Sequence, residues 1–138
     1  MATVKAFTDL QQSRKLAEIL PIESADMHWQ DASKEYENPY GIYDGHFRLI
    51  AGNSSKIINN KRDFRKGFVL PAWSLAALLS VLPDSIYNNT NEFSQLEFSK
   101  RSVAYHDIND GIKVGSIKDN LVDACCDTIL KLHKRNLL

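Results

Sequence analysis

The stretch from Pro71 to Leu82 is apolar around most of the circumference of the helix that it would form. Proline suits the first turn of a helix, and Pro83 would end it. A helix that is apolar on all sides is stable only when it is buried. The sequence therefore predicts a central helix that the rest of the chain covers.

Two further helices are indicated by caps and apolar stripes. Thr8 and Gln11 have the spacing of a capping box, and an apolar stripe then continues to Leu20, which predicts a helix over about 9–20. Asp119 or Asn120 would cap a last helix that continues to about Arg135. The chain therefore begins and ends on an amphipathic helix.

Alternation with a period of two predicts strands between these helices. It is present over Ala25–Gln30 and in the pairs Leu96/Phe98, Val103/Tyr105 and Ile112/Val114, which suggest a three-stranded meander with a turn at Asp110-Gly111. Asp44-Gly45 indicates a tight hairpin of type I′, with a return strand to Ala51. The prediction is an α+β fold: a mainly antiparallel sheet of about five to six strands with three helices, the central helix buried.

Length and charge limit the function classes. The chain has 138 residues, the usual size of one domain, and we expect a single globular α+β domain over 1–138. Its net charge is zero, which argues against a protein dedicated to coating nucleic acid. There is no signal-peptide core and no apolar stretch long enough for a membrane span. We expect a cytoplasmic, soluble protein.

The strongest local charge lies in the segment 56–66. It contains five cations and one acidic residue, Asp63, which gives a local charge of +4. With Phe64 among the cations, the segment could follow a phosphate backbone and stack a base. The alternative is a solvated loop without a ligand. The candidate nucleic-acid-binding residues are Lys56, Lys61, Arg62, Arg65 and Lys66.

A second candidate site joins two histidines. His28 and His106 lie on predicted strands, each close in sequence to an aspartate, Asp26 or Asp107. If the two strands are neighbours, the imidazoles could face each other and form an acid–base site. The possible pocket comprises His28, Trp29, His106 and Tyr43. The alternative is a pair of solvent-facing strand histidines.

The remaining reactive residue types favour structural roles. Cys125 lies on the apolar stripe of the last helix, and we expect Cys126 to be partly exposed beside it. Adjacent cysteines have neither CxxC metal spacing nor the reach of a long-loop disulfide. Ser74 lacks the flanking glycines of a nucleophile elbow, and the sequence has no glycine-rich phosphate loop. We expect no catalytic residue, no metal and no cofactor.

Three parts of the chain resemble a known family. They are Lys5–Leu10 with Leu16–Pro21 and Glu23–Met27, Pro71–Leu79 with Val81–Pro83, and Asn120–Cys125 with Ile129–His133 and Asn136–Leu138. These stretches resemble a family of small uncharacterised proteins of gut anaerobic bacteria and their phages and other mobile elements. The resemblance implies a lineage and a genomic setting, but no activity and no site residues. It also implies that segments 30–66 and 84–118 vary between members.

These observations leave three hypotheses. The first is a non-enzymatic accessory protein of a phage or mobile element that acts on an unknown protein partner. The second is a nucleic-acid-binding accessory factor that uses the basic loop 56–66. The third is a small enzyme with a His/Asp site at His28 or His106.

Overall fold

The computed structural model describes residues 5–32, 40–52, 69–87, 93–107 and 112–138. The chain divides into two compact units. We call Phe7–Ala77 the N-terminal unit, and Leu78–Leu138 together with Met1–Ala6 the C-terminal unit. Each unit contains one sheet, and none of the helices in the described residues is long and apolar enough to cross a membrane.

The N-terminal unit packs one helix against a four-stranded antiparallel sheet. Its sheet has the order β2-β3-β1-β4, and its core cluster includes buried Trp29 of β1 and Leu70 of β4. Phe7 and Leu10 pack against this core from the start of the chain. The elements are α1 (Leu10–Ala17), a 3₁₀ turn (Ile22–Ser24), β1 (Met27–Asp31), β2 (Tyr43–Asp44), β3 (Phe47–Ala51) and β4 (Val69–Ala72).

Helix α1 begins one residue later than the sequence predicts. Asp9, rather than Thr8, is the N-cap: it accepts the N–H of Gln12 at 2.8 Å, while Gln12 accepts the N–H of Asp9 at 3.1 Å. The reciprocal pair is a capping box. Thr8 is fully buried and bonds elsewhere, because its hydroxyl accepts the backbone N–H of Trp73 at 3.1 Å.

The hairpin between β2 and β3 confirms the predicted turn, with a shift of one residue. Asp44 pairs with Phe47, so the two loop residues are Gly45 and His46 rather than Asp44 and Gly45. Gly45 has a φ of +58°, whereas His46 does not have a positive φ. Glycine at the first loop position is typical of a type II′ turn, not the type I′ turn that the sequence predicts.

The prediction that a helix starts at Pro71 is wrong. Pro71 lies in β4 opposite His28 of β1, and β4 is the outermost strand of its sheet. An edge strand tolerates proline because the missing N–H can face away from the ladder. Helix α2 (Leu75–Val81) begins after Ser74, whose hydroxyl accepts the N–H of Ala77 at 3.2 Å. Residues 77 and 78 of α2 are buried but 76 and 80 are exposed, so burial on all sides is not supported.

The C-terminal unit is a four-stranded antiparallel meander with one helix. It comprises β5 (Ser85–Tyr87), β6 (Phe93–Phe98), β7 (Ser102–His106), β8 (Ile112–Ile117) and α3 (Leu121–Lys134). The sheet order β5-β6-β7-β8 confirms the predicted meander of the last three strands and adds β5. Asn120 caps α3 by accepting the N–H of Asp123 at 2.9 Å, as predicted. Helix α3 packs on β7 and β8 and buries Tyr105, Val114 and Ile129.

The predicted α+β class and the antiparallel pairing are confirmed. The strand count differs, because the described residues form eight strands in two sheets instead of five to six in one. The two strands that the sequence does not predict are β4 and β5. All four residues of β4 are buried, so it shows no alternation, and β5 has only three residues, too few to show a period of two.

Candidate functional site

The residues of the predicted pocket lie in two different sheets. His28 and Trp29 belong to β1, which pairs with β3 and β4, and Tyr43 belongs to β2 of the same sheet. His106 belongs to β7, which pairs with β6 and β8. The acid–base hypothesis assumed that the strands of His28 and His106 are neighbours. In the structure they are not. Trp29 is buried in the core of the N-terminal unit.

His28 is a buried imidazole. Its Nδ1 lies 3.4 Å from the carbonyl oxygen of Gly52, and its Nε2 has no hydrogen-bond partner among the described residues. Burial lowers the pKa of His28 below its ordinary value, although the hydrogen bond to Gly52 acts in the opposite direction. Nearby Asp26 accepts the N–H of Ser74 at 2.9 Å and the hydroxyl of Ser74 at 2.5 Å. Asp26 thus supports the start of α2.

His106 has an acidic partner, but not the predicted one. Its Nε2 lies 3.3 Å from Glu97 Oε2 on the neighbouring strand β6. Asp107, the neighbour in sequence, instead lies 3.4 Å from the ammonium of Lys113. Cross-strand register therefore decides the partner of this histidine, which sequence proximity does not show.

The two cysteines are both buried free thiols. Burial raises the pKa of the Cys125 thiol to about 12, far from that of a reactive thiolate. The expectation that Cys126 is partly exposed is wrong, because only 3 % of it is accessible. Cys126 lies on α3, and a broad face of this helix is buried in the C-terminal unit.

The basic loop 56–66 lies outside the described residues. Its candidate residues Lys56, Lys61, Arg62, Arg65 and Lys66 stay a prediction, and so does nucleic-acid binding. In the sequence the loop joins β3 to β4, which lie on either side of β1.

The C-terminal unit exposes large apolar side chains on one face of its sheet. Its inward positions, such as Ile86, Val103 and Tyr105, are buried. The alternating outward positions form what we call the outer face: Tyr87, Phe93, Gln95, Glu97, Ser102, Ala104, His106, Gly115 and Ile117. Ile117 is 75 % exposed and Tyr87 60 %, and the ring of Tyr87 lies 5.5 Å from that of Phe93.

One edge strand of this sheet is β8, and in the described residues no strand pairs with its outer side. Two cations at the C-terminal end of α3 reach it: Lys131 Nζ donates to the carbonyl oxygen of Gly115 at 2.7 Å, and a guanidinium N–H of the C-cap residue Arg135 donates to that of Lys113 at 2.8 Å. In an antiparallel ladder, alternate residues direct both backbone groups away from the partner strand. The backbone N–H and C=O groups of residues 113, 115 and 117 in β8 therefore point away from β7.

A groove of about 470 Å³ follows this edge. It is lined by β7 and β8, including Ala104, His106 and Gly115, and by Asp127 and Lys131 of α3. Lys131 lies 3.0 Å from Asp127. Burial raises the pKa of Asp127. The neighbouring Ser116 hydroxyl and the ammonium groups of Lys131 and Lys118 together lower it by more, so the net shift of this pKa is downward. The groove thus combines an ionised carboxylate with cations.

Gly115 is required where the groove meets β7. A Cβ at this position would lie 2.8 Å from the carbonyl oxygen of Val103 and 3.2 Å from the Cα of Ala104. Backbone atoms cannot move aside as a flexible side chain can. Gly115 and Ala104 therefore form a shallow depression between the larger side chains of the outer face.

Sequence reasoning did not find the outer face or the β8 edge. One signal was present: in Ser116-Ile117 the serine is buried and the isoleucine is exposed, which inverts the usual pattern of a half-buried strand. Such an inversion indicates a functional surface only once the strand register is known.

None of the protein-family models, curated proteins or solved structures with which the chain was compared matches it.

Proposed function

We propose that this chain is a non-enzymatic accessory protein of a phage or another mobile element and that it acts through protein–protein contacts. The observation that carries the contact role is the outer face, where Tyr87, Phe93 and Ile117 are exposed on one side of one sheet. The mobile-element setting rests on the sequence resemblance. The proposal includes a cytoplasmic location, which the free thiols of Cys125 and Cys126 support.

Exposed aromatic and branched side chains on a sheet are suited to binding. Covering apolar surface gains about 25 cal/mol for each Å² removed from water. Tyrosine and phenylalanine lose little conformational entropy on binding, and aromatic residues are frequent among the residues that dominate interface energies. The contact between the rings of Tyr87 and Phe93 restricts both further. The outer face therefore offers a preorganised anchor at one corner and Ile117 on the far strand.

Site-specific photo-cross-linking in the native host tests this proposal. A benzophenone amino acid replaces Tyr87 or Ile117 in separate variants, and Glu18, an exposed residue of the N-terminal unit, in the control. We expect the same adduct from positions 87 and 117 and its absence from position 18. The adduct identifies the partner, which is then purified for affinity measurements.

A matched pair of isoleucines completes the test. Ile117→Ser, on the outer face, should weaken binding of the purified partner at least about tenfold. Ile42→Ser changes an isoleucine that is 48 % exposed in the N-terminal unit and should leave the affinity unchanged. Equal effects of the two substitutions, or cross-links only from position 18, would contradict the proposal.

A further inference from the structure

We propose that the β8 edge is a strand-addition site for an extended acidic segment of the partner, and that Lys131 and Arg135 close this edge in the free protein. This rests on the proposed function and names the class of partner. The observations that carry it are an edge that no strand of the described residues covers, the groove beside it, the two cation-to-carbonyl hydrogen bonds and the charge around them.

The backbone of β8 has hydrogen-bonding groups on its outer side. Within the described part of the chain no strand pairs with its outer side. The carbonyl groups of Lys113 and Gly115 are satisfied by side chains, but the N–H groups of Gly115 and Ile117 have no acceptor among the described residues. An entering strand supplies carbonyls for these N–H groups and N–H donors for the carbonyls. Such an edge is a template for an added strand unless it is protected.

There is room for a strand beside β8. An added strand lies about 4.8 Å from its neighbour and directs alternate side chains to the two faces of the sheet. The groove of about 470 Å³ runs along this side of β8. Gly115 has no side chain, and Ala104 opposite it has a small one, so a side chain of the added strand finds room above this pair. Ile117 provides an apolar contact at the end of the edge.

The surroundings of the edge are positively charged. The edge and the last turns of α3 carry more cations than anions: Lys113, Lys118, Lys131, Lys134 and Arg135 against Asp107, Asp119 and Asp127. When a strand is added, Lys131 and Arg135 must leave the carbonyls of β8. Carboxylates on the added segment then accept the released ammonium and guanidinium, which form stronger, charge-assisted hydrogen bonds with carboxylates than with neutral carbonyls. Acidic segments can therefore open the edge, and basic ones cannot.

Charge also argues against a second copy of this chain as the occupant. An antiparallel pair of β8 strands centred on Gly115 would place Lys113 of one copy opposite Ile117 of the other and would gather Lys113, Lys118, Lys131 and Arg135 of both copies along one seam. Like charges concentrated in this way repel each other. Lys131 and Arg135 of both copies would lose their carbonyl acceptors and gain no carboxylates.

Two fluorescein-labelled hexapeptides serve as probes: one alternates valine with glutamate, and the other valine with lysine. We expect the glutamate peptide to bind at least tenfold more tightly in fluorescence anisotropy, and its binding to weaken as salt is raised. Alternate peptide nitrogens form two sets, one facing β8 and one facing away from it. N-methylation of one set should abolish binding and N-methylation of the other should not, because an added strand bonds along only one edge. Amide hydrogen exchange of Gly115 and Ile117 should slow at least tenfold with peptide bound.

The double variant Lys131→Ala/Arg135→Ala tests the role of the two cations. It should lose most of the preference for glutamate over lysine peptides. Lys15→Ala/Lys100→Ala removes two exposed cations elsewhere and should keep the preference. Far-UV circular dichroism verifies that both variants fold.

Three results would overturn the strand-addition proposal. They are equal affinity for the two peptides, equal tolerance of N-methylation in both sets of nitrogens, and a dimer in analytical ultracentrifugation that the glutamate peptide does not dissociate. The proposed function has its own readout: a cross-link from Tyr87 together with no peptide bound at β8 supports contacts through the outer face and overturns the strand addition.

Discussion

The indole N–H of Trp29 donates a hydrogen bond of 3.2 Å to the hydroxyl of Ser13, and both side chains are buried. The Ser13 hydroxyl also lies 2.8 Å from that of Thr8, which accepts the backbone N–H of Trp73. This chain of hydrogen bonds joins α1 to β1 and to the end of β4. Buried polar groups of this kind stabilise a fold only while every member has a partner.

Ser13→Ala should lower the free energy of unfolding by about 1–3 kcal/mol, because the indole of Trp29 is left buried without an acceptor. Urea unfolding followed by circular dichroism measures the change. Ser99→Ala is the matched control: its hydroxyl lies 2.6 Å from that of Ser102, but at an exposed hairpin. We expect the control to stay within about 0.5 kcal/mol of the original chain. Equal losses for the two variants would show that the buried network contributes no more stability than the exposed pair of serines.

This network also shows what could not be predicted from the sequence. Thr8 and Ser13 have the residue types of a cap and of an exposed helix position, and local patterns assign them there. The structure buries both, because Trp29 in β1 and Trp73 just after β4 supply donors 16 and 65 positions further along the chain. Partners so distant in sequence leave no local signal.

The elements that were predicted are those with several turns or alternations of their own. Helix α3 has a long apolar stripe and a clear cap at Asn120, and β7 alternates over its whole length. Pro71 misled the prediction, because an apolar run around a proline fits an edge strand as well as a helix start. For the candidate site, the outer face depends on the register of all four strands from β5 to β8, which no single segment encodes.

Asp9→Ala should destabilise the chain by about 1 kcal/mol, since Asp9 accepts the N–H of Gln12 and completes the capping box of α1. Asp9→Ser should restore most of the loss, because a serine hydroxyl accepts the same bond. Thermal unfolding measured by circular dichroism compares the two variants. If alanine and serine at position 9 gave the same midpoint, the N-cap would lie elsewhere.

Cys125 and Cys126 should resist thiol reagents in the folded chain. Both are buried, and the pKa of Cys125 is raised to about 12 by burial, so the reactive thiolate is scarce at neutral pH. With Ellman's reagent we expect labelling at least about a hundredfold slower in buffer than in 6 M guanidinium, where both thiols should react. Single Cys→Ala variants assign the two rates. Rapid labelling of Cys126 in buffer would support the partial exposure expected from the sequence.

Acid should destabilise the chain through His28. Its pKa in the folded state is lowered by burial, so below about pH 6.5 the unfolded chain binds a proton that the folded chain does not. The free energy of unfolding should therefore fall as the pH decreases from 7.5 to 5.5, by at most about 1.4 kcal/mol per pH unit for one group. Asp127, whose pKa is lowered from 3.8, acts only in a more acidic range. His28→Gln removes the titrating group and should flatten the dependence over this window in urea titrations at each pH. The same slope in the variant and the original chain would assign the acid sensitivity to another group.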